Sequence, residues 1–239
     1  MKVAYFDCFS VISGDMILGA LFDLGIDVDF FKNEIEKLNL TGYSIDVKKV
    51  KKNKYEATDV DIIVSEDQPH RTLKDINFLI ENSSLDTDVK SLSKKIFYNL
   101  AVAEAKVHKM DVEKVHFHEV GAVDSIIDIV GTAIGLKYFK IEDIFCSDLP
   151  LGSGYVICQH GKISVPAPAT KELIKNIPTY PLDSGHEMIT PTGVAVIKTV
   201  CSDFIDKPDM FDEKVGFGSG KIKSNQPGVL KIIIGQKKE

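Results

Sequence analysis

The sequence has no tryptophan, only four cysteines and no long apolar run. No stretch reaches the roughly 18 uninterrupted apolar residues of a transmembrane helix, so no membrane partner is expected. Cys8, Cys146, Cys158 and Cys201 are scattered, with no Cys-x-x-Cys pair. That spacing argues against a disulfide framework and makes the cytoplasm the expected compartment. Basic residues are in deficit: the net charge is −6 over 239 residues, which argues against a nucleic-acid scaffold. The first residues, MKVAYFDCFSVISGDMILGALFDLG, imitate a signal peptide, but Asp7 and Asp15 interrupt the apolar core such a segment needs. Internal repeats and low-complexity tracts are also missing.

What remains reads as interleaved strands and helices. With 44% hydrophobic residues, the chain can build one large core or two small ones. KVAYF at 2–6 has the apolar continuity of a buried strand. Ser13 suits an N-cap, and the spacing in DMILGALFDLG predicts a helix closed by Gly25. A helix over 28–38 and a hairpin over 43–50 and 55–64 follow, with lysines at the tip. Thr72 and Asp75 form a capping pair for a helix at 72–82, and further helices are predicted over 86–108 and from Ala122 to about Tyr138. Past residue 140 come strands near 144–147, 155–158 and 162–165, helices at 168–176 and 192–203, and closing strands near 212–217 and 228–234. A hairpin and a helical block break the strand–helix alternation. The expected class is therefore α+β, a mixed β-sheet with a central helical block in a sandwich-like arrangement, with a candidate sub-boundary near residue 140.

Four stretches carry candidate chemistry. In VHFHEVGAVDSIIDIVG, His116 and His118 share one side of an extended segment, and Glu119 adds an oxygen ligand or a partner for an imidazole. Asp124 and Asp128 follow at i, i+4 on one face of an apolar helix, where a carboxylate needs a partner or a cation. The bland alternative has Asp124 favouring a helix start and Asp128 facing water. In FDCFSVISGD, Asp7 ends the first strand, and Ser13, Gly14 and Asp15 turn into a helix, which suits a phosphate with its cation or a plain cap. In LPLGSGYVICQHG, Gly152, Ser153 and Gly154 allow close backbone approach, and Cys158 with His160 forms a soft ligand pair or merely a buried thiol beside a loop histidine. In GHEMITPTG, Glu187 is a candidate acid or base, and Thr190 and Thr192 precede a helix that is either an oxyanion site or simply capped by Thr192. Arg71 is a candidate phosphate grip, and Gly216, Gly218 and Gly220 form a ligand loop or a turn.

Together, FDCFSVISGDMILGAL, HRTLKDI, AEAKVH, VHFHEVGAVDSIIDIVG, DLPLGSGYVICQHGKISVPAPAT and MITPTG resemble the N-terminal module of the nickel-insertion protein of the lactate racemase system. Members of that family are pyridinium-bisthiocarboxylate mononucleotide nickel chelatases. The resemblance runs from residue 3 to about residue 235, and Val11 departs from the glycine usual in that family. It implies a lyase-type enzyme that inserts Ni2+ between two thiocarboxylate sulfurs and a ring carbon, giving the nickel-pincer cofactor. The family reaction depends on CTP with Mg2+ or Mn2+, associated with a C-terminal domain; the chain is expected to be the N-terminal module without it. The resemblance supports the segments; residue type within them suggests metal ligation by His116, His118, Glu119, Asp124, Asp128, Cys158 and His160, and catalysis by Asp7, Asp15, Glu119 and Glu187. Ser13, Gly14, Arg71, Gly152, Ser153, Gly154, Thr190 and Thr192 would hold phosphate or substrate. A companion C-terminal domain or chain is an expected partner, and a homo-oligomer stays open. Two alternatives stand beside this reading: a metal-dependent phosphohydrolase, and a non-enzymatic nickel chaperone or storage module.

Overall fold

The computed structural model describes residues 1–66, 68, 69, 71–117, 122–158, 161–221 and 226–238, without the side chains of His116, Ile157 and Cys158. Strand β1 (Lys2–Asp7) leads into α1 (Gly14–Asp23), α2 (Val28–Glu36), the hairpin β2 (Tyr43–Lys52) and β3 (Tyr55–Val64), then β4 (Arg71–Thr72), α3 (Leu73–Glu81) and α4 (Thr87–His108). A 3-10 turn (Val112–Lys114) precedes β5 (His116–Phe117) and α5 (Val123–Tyr138). Then come β6 (Asp143–Cys146), β7 (Leu149–Leu151), β8 (Tyr155–Cys158), β9 (Gly161–Ser164) and α6 (Pro168–Leu173). The chain finishes with β10 (Thr179–Pro181), α7 (Pro191–Val200), β11 (Asp203–Phe204), β12 (Met210–Ser219) and β13 (Val229–Lys237).

Every long predicted element is present, within a few residues of its expected ends. The capping box at Thr72 and Asp75 forms as read from the sequence, with both reciprocal bonds made. The extended segment expected around His116 is present as β5, whereas the short strands β4, β7, β10 and β11 were not anticipated. Each is two or three residues long and defined by a distant partner, so none has a local periodic signal.

Seven strands form one mixed sheet in the order β11-β6-β1-β13-β12-β3-β2, as the α+β reading requires. Strands from both sides of residue 140 share it: β6 runs parallel to β1, while β13 lies antiparallel between β1 and β12. Helix α1 lies on β12 and β3, α5 packs on α1, and α4 packs on α5. The closeness of α1 to the sheet explains the Gly-x-Gly pattern of β12. A Cβ on Gly218 would lie 1.8 Å from the Met16 carbonyl oxygen, and one on Gly216 2.4 Å from that of Ala20. These two glycines are thus strand residues that admit a helix backbone, and neither a ligand loop nor a turn.

Ile232, Ile234, Phe6 and Ala4 point into this helical layer. Val3, Tyr5, Phe145, Met210 and Ile233 form a smaller cluster separate from it, as strand alternation requires. Cys8 and Cys146, far apart in the chain, bring their sulfurs to 3.6 Å at the ends of β1 and β6, and both are free thiols. No helix among the described residues is long and apolar enough to cross a membrane.

Candidate functional site

Two backbone hydrogen bonds zip the loop after β1 to the loop before α7: Ile12 N to Met188 O at 2.8 Å and Thr190 N to Ile12 O at 3.1 Å. Gly193 lets the first turn of α7 close on this zipper, since a Cβ there would meet Ile12 O and Ser13 Cα at 3.0 Å. Helix α5 reaches the same place from behind. A Cβ on Gly14 would lie 2.3 Å from Asp128 Oδ2, so the start of α1 is packed on a carboxylate of α5. Three helix N-termini therefore converge.

Two adjoining cavities open there. One, of about 300 Å³, is lined by Ser13, Gly14, Asp15, Asp124, Asp128, Thr190 and Thr192, with Asp61 and Lys221. The other, of about 210 Å³, is lined by Val11, Met16, Met188, Glu187, Gly220 and Gly228. Ser13, Asp15, Thr190 and Lys221 form the wall shared by both.

Asp128 is the unusual group. Residues Ser125–Leu136 of α5 are buried without a break, and Asp128 lies among them at 8% exposure. Its Oδ1 has no hydrogen-bond partner among the described residues. Burial, and then the nearby Asp15 and Asp124 carboxylates, push its pKa well above the usual carboxylate range. Asp15 is shifted the same way, chiefly by burial. That shift is opposed by a hydrogen bond from the Ser13 hydroxyl, by the Lys221 ammonium and by the Met16 amide at 2.8 Å. Asp124 is exposed at the helix start and accepts from the Ser125 amide at 2.8 Å. Among the described residues, no three His, Cys, Asp or Glu side chains are arranged to hold a metal ion by themselves.

The zipper and the helix starts thus assemble Ser13, Gly14, Asp15, Glu187, Thr190 and Thr192 with Asp124 and Asp128. The capping differs from that read in the sequence. The Ser13 hydroxyl donates to Asp15 and makes no cap bond to the helix. Thr190, rather than Thr192, caps α7, its Oγ1 accepting from Gly193 N at 3.2 Å.

Asp7, Arg71 and the Gly152–Gly154 loop are not brought into either cavity. Asp7 does end β1, but alternation turns it away from the side of Phe6, and it pairs with Lys231 at 3.2 Å. Arg71 sits opposite Phe117 in the β4–β5 ladder and donates to Gln68 Oε1 at 3.1 Å. Gly152 and Gly154 admit backbone rather than ligand: added Cβ atoms would lie 2.1 Å from His186 O and 2.8 Å from Gly185 O. Ser153 Oγ accepts from the Ser184 and Gly185 amides at 3.2 and 2.9 Å and donates to Asp183. This loop therefore braces the segment that carries Glu187 and Met188. The side chains of His116 and Cys158, and residues His118, Glu119 and His160, lie outside the described residues.

Lys221, Asp59 and Asp61 were not singled out from the sequence. Lys221 reaches Asp59 at 2.8 Å and Asp61 at 3.0 Å, which anchors it beside Asp15. No local motif marks it; only the pairing of β12 with β3 sets it there.

A site of converging helix starts, buried carboxylates and an adjoining apolar cavity has the parts needed for an anionic ligand and a cation together. Over residues 4–239 the chain matches the nickel insertion protein family, and it belongs to that family. It is 50% identical to the pyridinium-3,5-bisthiocarboxylic acid mononucleotide nickel insertion protein of Acetivibrio thermocellus, with 100% of this chain and 61% of that protein covered. The protein of the same name from Desulfitobacterium hafniense is 43% identical, with 99% and 59% covered. The chain thus spans about three-fifths of the length of these relatives. No solved structure matches it.

Proposed function

We propose that this chain takes part in nickel insertion into pyridinium-3,5-bisthiocarboxylic acid mononucleotide, and that the cleft between α1, α5 and α7 is where it occurs. The observation that carries the proposal is Asp128. A carboxylate so deeply buried, facing a second one and with an unpartnered oxygen, is stable only when protonated or beside a cation. Nickel as substrate supplies that cation, and the substrate's sulfurs supply the soft ligands that carboxylates lack.

Insertion at carbon breaks a ring C–H bond as the nickel–carbon bond forms, and the proton must be accepted. Asp15 and Asp128 are suited to this, because burial raises the proton affinity of both. The helix starts and Thr190 suit the phosphate. Residues 116–119 lie a few positions ahead of α5 in the chain, so His116, His118 and Glu119 are proposed to meet the metal at the mouth near Asp124. Cys158 and His160 keep the role of soft ligands in this proposal.

The finer reading is that the product is the nickel-pincer cofactor of lactate racemase. CTP with Mg2+ or Mn2+ is then assigned to a companion C-terminal domain or chain. The phosphohydrolase alternative predicts phosphate release by this chain alone, and the storage alternative predicts stoichiometric nickel binding without product. The test incubates the chain with Ni2+, Mg2+, CTP and the precursor, with and without the companion, and detects nickel-bearing product by mass spectrometry. Product that forms in wild type and is lost in Asp128→Asn supports the proposal. Nickel binding and product yield unchanged in Asp128→Asn would refute it.

A further inference from the structure

The two adjoining cavities differ sharply in chemistry, although they share a wall. Asp124, Asp128 and Thr192 belong to one alone, and Val11, Met16 and Met188 to the other alone. We infer that the cleft is divided by function: the metal is received on the Asp124–Asp128 side, and the aromatic ring of the mononucleotide seats on the Val11–Met188 side, so that the two meet at Asp15. This rests on the nickel-insertion reading and adds which part of the substrate each compartment takes.

Three observations support the division. First, the polar compartment gathers Asp61, Asp124 and Asp128, the last with an unpartnered buried oxygen among the described residues, whereas Glu187 is the one carboxylate that lines the apolar compartment alone. Second, the floor of the apolar compartment carries two thioethers. Met16 and Met188 are 1% and 2% exposed and held by α1 and by the Ile12–Met188 bond, so they are preset rather than adaptable. Polarisable sulfur against a flat ring is a favourable contact, and an apolar floor rejects a hydrated metal ion. Third, the shared wall holds the groups that both partners need. Lys221, fixed by Asp59 and Asp61, offers positive charge to a thiocarboxylate or phosphate. Asp15, fixed by Ser13 and the Met16 amide, offers a base at the junction.

The test is a crossed binding experiment by calorimetry on the full chain, with two probes. Ni2+ alone reads the polar side. Nicotinic acid mononucleotide, a stable pyridinium mononucleotide, reads the apolar side, with ribose 5-phosphate as the ring-less control. Met188→Ala is expected to weaken the mononucleotide about three- to tenfold, within the range of a sulfur–ring contact, with ribose 5-phosphate and Ni2+ within about twofold of wild type. Asp128→Asn is expected to weaken Ni2+ at least about tenfold and leave the mononucleotide within about threefold, as loss of a charged partner implies. Met188→Leu keeps the volume and removes the sulfur; it carries the same expectation at a smaller factor should the alanine variant fail to fold. Equal losses of both probes in each variant, or loss of Ni2+ rather than mononucleotide on changing Met188, would overturn the division while leaving the nickel-insertion reading intact. Wild-type protein that binds neither probe would overturn both.

Discussion

Replacing Asp128 by asparagine should make the metal-free protein more stable, at the expense of function. The wild-type side chain is 8% exposed, faces Asp15 and Asp124, and leaves Oδ1 without a partner among the described residues. A buried polar group left unsatisfied costs about 1–3 kcal/mol, and more when charged. Asparagine has nearly the same shape and no charge, and its amide can donate towards Asp15. A net gain of about 1–2 kcal/mol near neutral pH follows, which for a chain of this size raises Tm by about 2–8 °C. The gain must depend on pH in one direction. Burial raises the Asp128 pKa in the folded state, so the folded protein holds this proton more tightly than the unfolded chain does. As pH rises above the ordinary carboxylate range, the unfolded chain loses the proton first, and the wild type loses stability until its folded-state pKa is passed. The asparagine variant does not titrate there. Thermal melts of both proteins, metal-free with chelator, from mildly acidic to mildly alkaline pH should show the gain shrinking towards acid. A lower Tm for Asp128→Asn at neutral pH, or a gain that does not shrink on acidification, would refute the reasoning.

Three further outcomes follow from the packing. Gly218→Ala sets a methyl 1.8 Å from the Met16 carbonyl, backbone against backbone, and should cost about 3 kcal/mol or more, read as a drop in urea midpoint. Thr190→Ala removes the cap bond to Gly193 and should cost about 1 kcal/mol by thermal melt, with a larger proportional loss in mononucleotide affinity because Thr190 lines both cavities. Asp7→Asn should cost no more than about 1 kcal/mol through its partly exposed pair with Lys231 and leave Ni2+ binding unchanged by calorimetry, since Asp7 lines neither cavity.

Local pattern alone determined much of this protein. The 3.6-residue spacing marked α1, α4 and α5, the alternation of 43–64 marked a hairpin, and Thr72 with Asp75 marked a helix start to the residue. Asp124 and Asp128 stood out because carboxylates at i, i+4 in a run of isoleucines conflict with burial, a conflict visible without coordinates. What the pattern could not carry was any relation between distant segments. Asp7 and Asp15 looked like one loop's pair of carboxylates, yet strand alternation turns Asp7 towards Lys231 while the helix start carries Asp15 to Asp128. The glycines at 152, 154, 216 and 218 looked alike as ligand loops. Only packing showed that each admits another stretch of backbone. Lys221 enters the site through a strand pairing, and Met188 through the two hydrogen bonds that tie it and Thr190 to Ile12. Such contacts join segments with no shared period. Their energy comes from excluding water between surfaces that only the completed sheet and its helical layer bring together.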